Sequence, residues 1–238
     1  IQDYYRQDFL TQYKKLDHDI RDSDIATLVE KSDPATLFYQ ARYISKNPNP
    51  VGSKQLLDQA ASQGKFASRY DRYHATYHPV FRKEQAEFGF YDLFLINNDG
   101  RVVYTVFKET DYAASLTSGG LAGSGLAKAW QAASRAGKGQ VTLTDFSAYK
   151  PSYGAPAAFM SAPVFDGEER IGTLVVDSKP LQDADKQQII HILCTAIRKE
   201  GLSMLDWNED VQRLQRRVAQ VREWHPEMEL PDLSTAHL

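Results

Sequence analysis

The sequence predicts an α+β domain, with five strands grouped two and three, a helix between the groups, and helices on either side. Three observations carry this prediction. The buried run Tyr91-Asp92-Leu93-Phe94-Leu95-Ile96, the turn Asn97-Asn98-Asp99-Gly100 and the apolar run 102–107 together predict a β-hairpin. Residues 121–136, rich in Ala, Leu and Gly, predict a helix packed on that hairpin. Three more strand segments follow at 140–144, 157–165 and 171–177, the last two joined by a tight Asp166-Gly167 turn. Two strands, a helical crossover and three strands is an α+β order rather than a repeating βα order.

The flanks are helical by periodicity. In 1–32, Ile1, Tyr5, Phe9, Tyr13, Leu16 and Ile20 recur at three- and four-residue intervals, and the stripe then slips to Ile25, Leu28 and Val29. Ser32-Asp33-Pro34 ends that helix and opens a second over 35–46, because proline is favoured at a first helical position. Asn47-Pro48-Asn49-Pro50 is a loop, and helix resumes over 53–61 and 67–87. Near the C-terminus Ile189, Ile190, Leu193 and Ile197 make one amphipathic helix. Beyond it, Trp207, Val211, Leu214, Val218 and Val221 are spaced 4-3-4-3. That seam spans only about two heptads, so it fits either a coiled-coil contact or a helix packed on the domain. The predicted organisation is a helical region over 1–87, a sheet domain over 88–178, C-terminal helices over 179–225 and a flexible tail over 226–238.

Composition narrows the function. Hydrophobic residues make up 42% and charged residues 25% of the 238, enough for an ordinary core. A formal net charge of -3 lacks the basic footprint of a nucleic-acid partner. The lone Cys194 excludes an internal disulfide and fits a small buried hydrophobe. No apolar run reaches the roughly 18–20 residues that span a bilayer, and no signal peptide is visible. The chain begins at Ile1 inside a predicted helix, as expected of a piece of a longer or processed protein.

Catalytic patterns fail one by one. His74 and His78 lie four apart on a predicted helix, but neither a third ligand nor a His-Glu-x-x-His acid completes a metal site. Their neighbours Tyr70, Tyr73, Tyr77 and Pro79 suggest packing or a rim of polar contacts. Gly123-Ser124-Gly125 lacks the flanks of a nucleophile elbow, and Thr117-Ser118-Gly119-Gly120 lacks the spacing and lysine of a P-loop. Asp92, Asp145 and Asp177 do not pair as acid and base. No enzymatic activity, metal or cofactor is expected.

A ligand pocket remains, since such sites combine apolar walls with a few aimed polar groups. The candidate lining is Tyr91, Asp92, Tyr104 and Lys108 from the hairpin, with Asp145, Tyr149, Tyr153, Phe159 and Ser161 from the second group of strands. Residues two apart share a strand face, so Tyr104, Val106 and Lys108 are expected to point the same way. A lysine on an apolar face requires an anion, which a ligand carboxylate, Asp145 or another acidic side chain could supply. The 149–156 loop, with Pro151, Gly154 and Pro156, is placed to close over the site.

These segments, in this order, resemble the Cache sensor domains of bacterial chemoreceptors, histidine kinases and nucleotide cyclases. The likeness lies in Tyr77-His78-Pro79, in the run from Phe88 to Ile96, and in Val103-Tyr104-Thr105-Val106-Phe107-Lys108-Glu109-Thr110-Asp111-Tyr112. It continues through the stretch from Asp145 to Phe159 and ends at Ile171-Gly172-Thr173-Leu174-Val175-Val176. Tyr43-Ile44 and Asn47-Pro48-Asn49-Pro50-Val51-Gly52 resemble a lead-in helix and loop, so the resemblance covers residues 37–177. It implies a PAS-like five-stranded antiparallel sheet, a long N-terminal helix rising from the membrane and a ligand pocket on one sheet face. Output would pass through helices to a cytoplasmic effector. Family ligands are small metabolites, often amino acids or carboxylates, but the Arg-Trp-Tyr cluster of amino-acid-binding members is missing. The expectation is a small-molecule sensor domain, with a carboxylate metabolite as one candidate ligand. It would lie on the periplasmic or extracellular side of the bacterial inner membrane, within a membrane-anchored receptor that can pair as a homodimer through its helices. The alternative is a ligand-free dimerisation or protein-interaction module of the same fold.

Overall fold

The predicted hairpin forms, but it is shorter than its apolar runs. In a computed structural model of the chain, β1 (Leu93–Ile96) and β2 (Val102–Thr105) pair antiparallel, with Leu95 opposite Tyr104. The structure describes residues 32–58 and 68–178. The predicted helix over 1–32, except its last residue, and the predicted C-terminal helices and tail therefore lie outside the described residues. Asp92 sits where both strands run out. Its carboxylate accepts the backbone N–H groups of Leu93, Val106 and Phe107 at 2.7, 2.8 and 3.1 Å, and the Val106 N–H is shared with the Leu93 carbonyl at 3.1 Å.

The connecting turn is fixed by Asn97 and Gly100. Asn97 Oδ1 accepts from the N–H groups of Asp99 and Arg101, and Gly100 has φ +80, which suits glycine alone. A side chain there would also meet Trp130, 2.9 Å from the site of a Cβ atom. Trp130 belongs to α3 (Gly125–Arg135) and donates its indole N–H to the Asn97 carbonyl at 3.2 Å, so the turn and the helix are locked together.

The other strands are β3 (Thr142–Leu143), β4 (Ser147–Tyr149), β5 (Ala155–Asp166) and β6 (Glu169–Ser178). They complete an antiparallel sheet in the order β2-β1-β6-β5-β3, with β4 also paired to β5. β3 and β4 are two short pieces along the same partner, so the sheet is five strands deep and PAS-like, as expected. The central strands are covered on both faces, which is why they are apolar throughout rather than alternating. One face presents Leu93, Leu95, Met160, Ala162, Leu174 and Val176 to a core that includes Tyr39, Tyr43, Tyr70 and Phe81. The other presents Phe94, Ile96, Phe159 and Val175 to Leu126, Ala127 and Ala129 of α3.

The helices begin where their caps are encoded. Asp33 caps α1 (Pro34–Gln40) by accepting from the Thr36 N–H at 3.0 Å, with Pro34 at the first position. The helix then widens into a π-turn, Ala41–Ser45, that buries Tyr43 and Ile44. α2 (Arg69–Phe88) opens on a reciprocal Ser68–Asp71 capping box and ends at Gly89, φ +69. Ser124 caps α3 through the Ala127 N–H, which gives Gly123-Ser124-Gly125 a structural role. The predicted helix over 53–61 shrinks to one 3-10 turn, Lys54–Leu56, within its described part. Asn47 Nδ2 donates to the carbonyls of Tyr43 and Lys54, and Lys54 Nζ donates to the Asn47 carbonyl. This clasp draws the chain back onto the end of α1 before a second turn can wind.

Gly100→Ala is expected to lower stability by about 2 kcal/mol, from left-handed strain and the Trp130 clash together. Urea unfolding measures it; an unchanged midpoint would show that the turn is not locked to α3.

Candidate functional site

Where β2 ends, the backbone turns out of the sheet. Lys108 takes φ +58 and Ala113 φ +68, left-handed values rarely held by side chains with a Cβ. The Lys108 N–H donates to Thr105 Oγ1 at 2.8 Å, fixing the turn. Strand alternation therefore no longer applies at Lys108, and its side chain folds back over the sheet. The ammonium donates to the Thr105 carbonyl and sits 4.1 Å from the Tyr104 ring centroid and 5.2 Å from that of Tyr112. Only 1% of Lys108 is exposed.

Two fully buried carboxylates act electrostatically on this ammonium, those of Asp92 and Asp111. Asp145, which the sequence offers as a partner, is exposed. Asp92 Oδ1 holds the three N–H groups described above, while its Oδ2 has no hydrogen-bond partner. Asp111 Oδ2 accepts from the Tyr149 hydroxyl at 2.8 Å, and its Oδ1 has no partner. Burial lowers Lys108 to about 7, opposed by Asp92 and Asp111. Burial raises Asp111 to about 6 despite the Tyr149 hydrogen bond, and raises Asp92 too, with the Asp111 charge adding to the effect.

The 149–154 segment is latched onto the same carboxylates. Besides the Tyr149–Asp111 bond, half-buried Glu109 accepts from Ser152 Oγ at 2.8 Å and from the Tyr91 hydroxyl at 2.8 Å. Tyr91 stacks on Phe107, with ring centroids 5.0 Å apart. Burial, then the Asp111 charge, raises the Glu109 carboxyl above its ordinary range. Tyr153 leaves this latch at φ +57 and packs against the edge of the core.

An aromatic floor lies behind Lys108. The Tyr104 hydroxyl is 2.7 Å from His78 Nδ1, and His78 Nε2 is 2.7 Å from the Gln55 carbonyl. A carbonyl only accepts, so Nε2 carries the proton and Nδ1 accepts from Tyr104. His74 stacks on His78 at 4.4 Å, and neither of its ring nitrogens has a hydrogen-bond partner. Burial, then the Lys108 charge, keeps both imidazoles neutral, lowering His78 to about 3 and His74 well below 6.5. The rings are stacked rather than converging on one point. Among the described residues no group of three or more His, Cys, Asp or Glu side chains could hold a metal ion. Tyr112 and Tyr70 each sit edge-on to Tyr43, which donates to Asp71 at 2.6 Å, and Arg42 pairs with the same carboxylate.

Of the candidates from sequence, Tyr91, Asp92, Tyr104, Lys108 and Tyr149 come together here. Phe159 supports Tyr149 edge-on at 5.0 Å. Ser161 lies under α3, bonded to the Ala129 carbonyl at 2.8 Å and to Thr142 at 2.6 Å. Glu109, Asp111, Tyr112 and Ser152 join the site without being singled out by the sequence reading. The signal that could have found the first three is Lys108-Glu109-Thr110-Asp111-Tyr112, a charged run directly after a buried strand. A cavity of about 110 Å³ opens on the outer side of that run, lined by Gln40, Thr110, Ser118 and Lys150 among others. Thr110 is the residue between Glu109 and Asp111, so one turn of chain separates the cavity from the buried charges.

No protein-family model matches the chain, and neither does any curated protein. Among solved structures it is similar to the sensor domain of the Vibrio cholerae histidine kinase DctB, at 12% identity and TM-score 0.35 over 73% of this chain and 54% of that one. It is also similar to a domain of a sensory box/GGDEF family protein from Vibrio parahaemolyticus, at 17% identity and TM-score 0.33 over 60% of this chain and 57% of that one. A third is the extracellular domain of the histidine kinase vpHK1S-Z8, at 13% identity and TM-score 0.33 over 74% of this chain and 59% of that one. The chain thus spans little more than half the length of each.

Asp92→Ala is expected to cost about 1–3 kcal/mol, because the buried Leu93 N–H loses its side-chain acceptor, the half-buried Phe107 N–H loses another and Val106 is left with the Leu93 carbonyl alone, while Asp92→Asn keeps an acceptor and costs much less. Equal losses in urea unfolding would overturn the assigned role. The histidines give a pH test. The unfolded state takes up protons below 6.5, while His78 stays neutral in the fold until about 3. Stability should therefore fall as pH drops through that window, by about 1.4 kcal/mol per unit for His78. Relative to His78→Gln, wild type should show this extra slope below pH 6.5; parallel stability profiles would show that His78 is not held neutral.

Proposed function

We propose that this chain is the sensor domain of a bacterial signal-transduction receptor, and that its small-molecule ligand binds among Lys108, Asp92 and Asp111. The observation that carries this reading is the pair of buried, unpartnered carboxylate oxygens of Asp92 and Asp111, with a buried lysine on which both charges act. Each such oxygen costs about 1–3 kcal/mol. The left-handed residues Lys108 and Ala113 add about 1–3 kcal/mol each. Apolar side chains would stabilise the fold at least as well. Perturbed ionisable groups beneath a latched loop are what a binding site requires.

The surroundings provide a route for a signal. A ligand that moves Asp111 or Glu109 acts on the Tyr149 and Ser152 latches, and one that moves Lys108 acts on Tyr104 and Tyr112. Tyr104 bonds to His78 of α2, and Tyr112 touches Tyr43 of the π-turn after α1. The ligand shifts this arrangement only by its differential affinity for two states. The Cache resemblance supports an extracytoplasmic position in a membrane-anchored receptor and no catalytic role. Among the described residues no helix is long and apolar enough to cross a membrane.

A ligand-free interaction module is the second reading, and it has one observation in its favour: side chains fill both faces of the sheet. A thermal-shift screen of small charged metabolites separates the two. A ligand at a hundred times its Kd should add about 2.7 kcal/mol, and Asp111→Asn should remove the effect. If no metabolite class stabilises the domain while it self-associates in solution, the interaction module stands instead.

A further inference from the structure

Three side chains of α2 meet one short strap of chain. His74, His78 and Arg82 lie four residues apart and so share a helix face. His78 Nε2 donates to the Gln55 carbonyl at 2.7 Å, and Arg82 pairs with the Asp58 carboxylate at 2.9 Å. The Asp58 backbone acts on His74, although neither nitrogen of that ring completes a hydrogen bond. At its other end the strap is clasped to the π-turn after α1 by Asn47 and Lys54.

The imidazoles under this strap have no place for a second proton. They are stacked at 4.4 Å, and neither is exposed. His78 Nδ1 already accepts from the Tyr104 hydroxyl, so a proton there would face a donor. His74 has no acceptor for a proton on either nitrogen, and Gln55 Oε1 in the strap is buried without a donor. The charges that act on the pair are positive, Lys108 from the turn after β2 and Arg82 from α2 itself. The neighbouring carboxylates are committed: Asp58 to Arg82, and Asp71 to Arg42 and Tyr43. Lys54 of the strap is held by the Asn47 carbonyl. Tyr43 of the π-turn, Tyr70 of α2 and Tyr104 of β2 pack against the rings, and burial keeps their hydroxyls protonated.

We propose that the strap is an acid-operated release: when both histidines take up protons, residues 54–58 lift from α2 while the sheet stays folded. Water reaches the two rings only once the strap has lifted, so the open form binds two protons that the closed form refuses. In the open form each ring has its ordinary value of about 6.5. In the closed form burial, then the Lys108 charge, holds both lower, His78 at about 3. The closed form is therefore favoured in full above about 6.5, and loses ground as pH falls from there toward 3. This input does not depend on the ligand reading above. It reaches the end of α1 through the Asn47–Lys54 clasp.

Native-state hydrogen exchange on the whole chain tests the release. The reporters are the amides of Leu56, Leu57 and Asp58, each hydrogen-bonded within the strap, set against those of α3. Between pH 7.5 and 4.5, after correction for intrinsic rates, strap opening should increase about ten-thousandfold, a factor of about a hundred from each histidine. His78→Gln keeps a donor for Gln55 and an acceptor for Tyr104, and His74→Phe fills the same aromatic slot. Either variant should leave about a hundredfold increase, and the double variant almost none. In urea below the unfolding transition, strap exchange should stay flat while α3 exchange rises, because a local opening exposes little surface. If strap amides exchange only together with α3, with the same urea dependence, the fold opens as a whole and the release is overturned. If the strap opens alone but the double variant keeps the full pH dependence, the histidines do not operate it and the proposal falls.

Discussion

Asp92 is the hinge on which the site depends. A carboxylate just before β1 accepts the N–H groups of Leu93, Val106 and Phe107, at the point where the last hairpin bond, from the Val106 N–H to the Leu93 carbonyl, is made. Beyond it residues 107–112 leave the sheet, before Ala113 and Ala114 return to bond Val102. Only then can Lys108 turn back at φ +58 and Asp111 reach Tyr149. The same carboxyl group is both a backbone cap and a member of the buried charge set. Its two oxygens divide these roles: Oδ1 holds the chain, and Oδ2 is left without a hydrogen-bond partner.

The charge set is held between two different kinds of wall. On one side is a rigid aromatic layer of Tyr43, Tyr70, His74, His78, Tyr104 and Tyr112, whose rings sit 4.4–6.5 Å apart in successive pairs. On the other is the 149–154 segment, joined to it by hydrogen bonds to Asp111 and Glu109. Hydrogen bonds to a carboxylate weaken when its charge is neutralised or taken by a cation. The hydroxyl latch is therefore sensitive to the charge on Asp111 and Glu109, while the aromatic wall joins the charge set to α2 and to the π-turn after α1.

Much of the fold is legible in the sequence because its signals are local. Asn97-Asn98-Asp99-Gly100 and Asp166-Gly167 mark turns, Asp33-Pro34 marks a helix start, and apolar runs of strand length mark β1, β2, β5 and β6. The 53–61 segment reads as helix but does not form one in its described part. Asn47 and Lys54 shape it instead, through a clasp between side chains and carbonyls that no periodicity shows. The site is legible in part for the same reason. Tyr91, Asp92, Tyr104 and Lys108 follow from a charged residue interrupting an apolar strand. Glu109 and Asp111 give only the weaker signal of a charged run directly after a buried strand, which is equally at home in a solvated loop.

The sequence by itself determined the main strands, the hairpin turns, the start of α1 and the presence of a lysine that needs an anion, since each depends on neighbours a few residues away. The PAS-like five-stranded antiparallel sheet was expected and the structure bears it out, while its spatial order, β2-β1-β6-β5-β3, was decided by tertiary structure. Which acids surround Lys108 was decided only by tertiary structure: Asp92, 16 positions before it, and Asp111, just after it, rather than Asp145. The reason is physical. Charge partners are set by where the backbone leaves the sheet, beside the carboxylate that accepts N–H groups from β1 and from the residues just after β2.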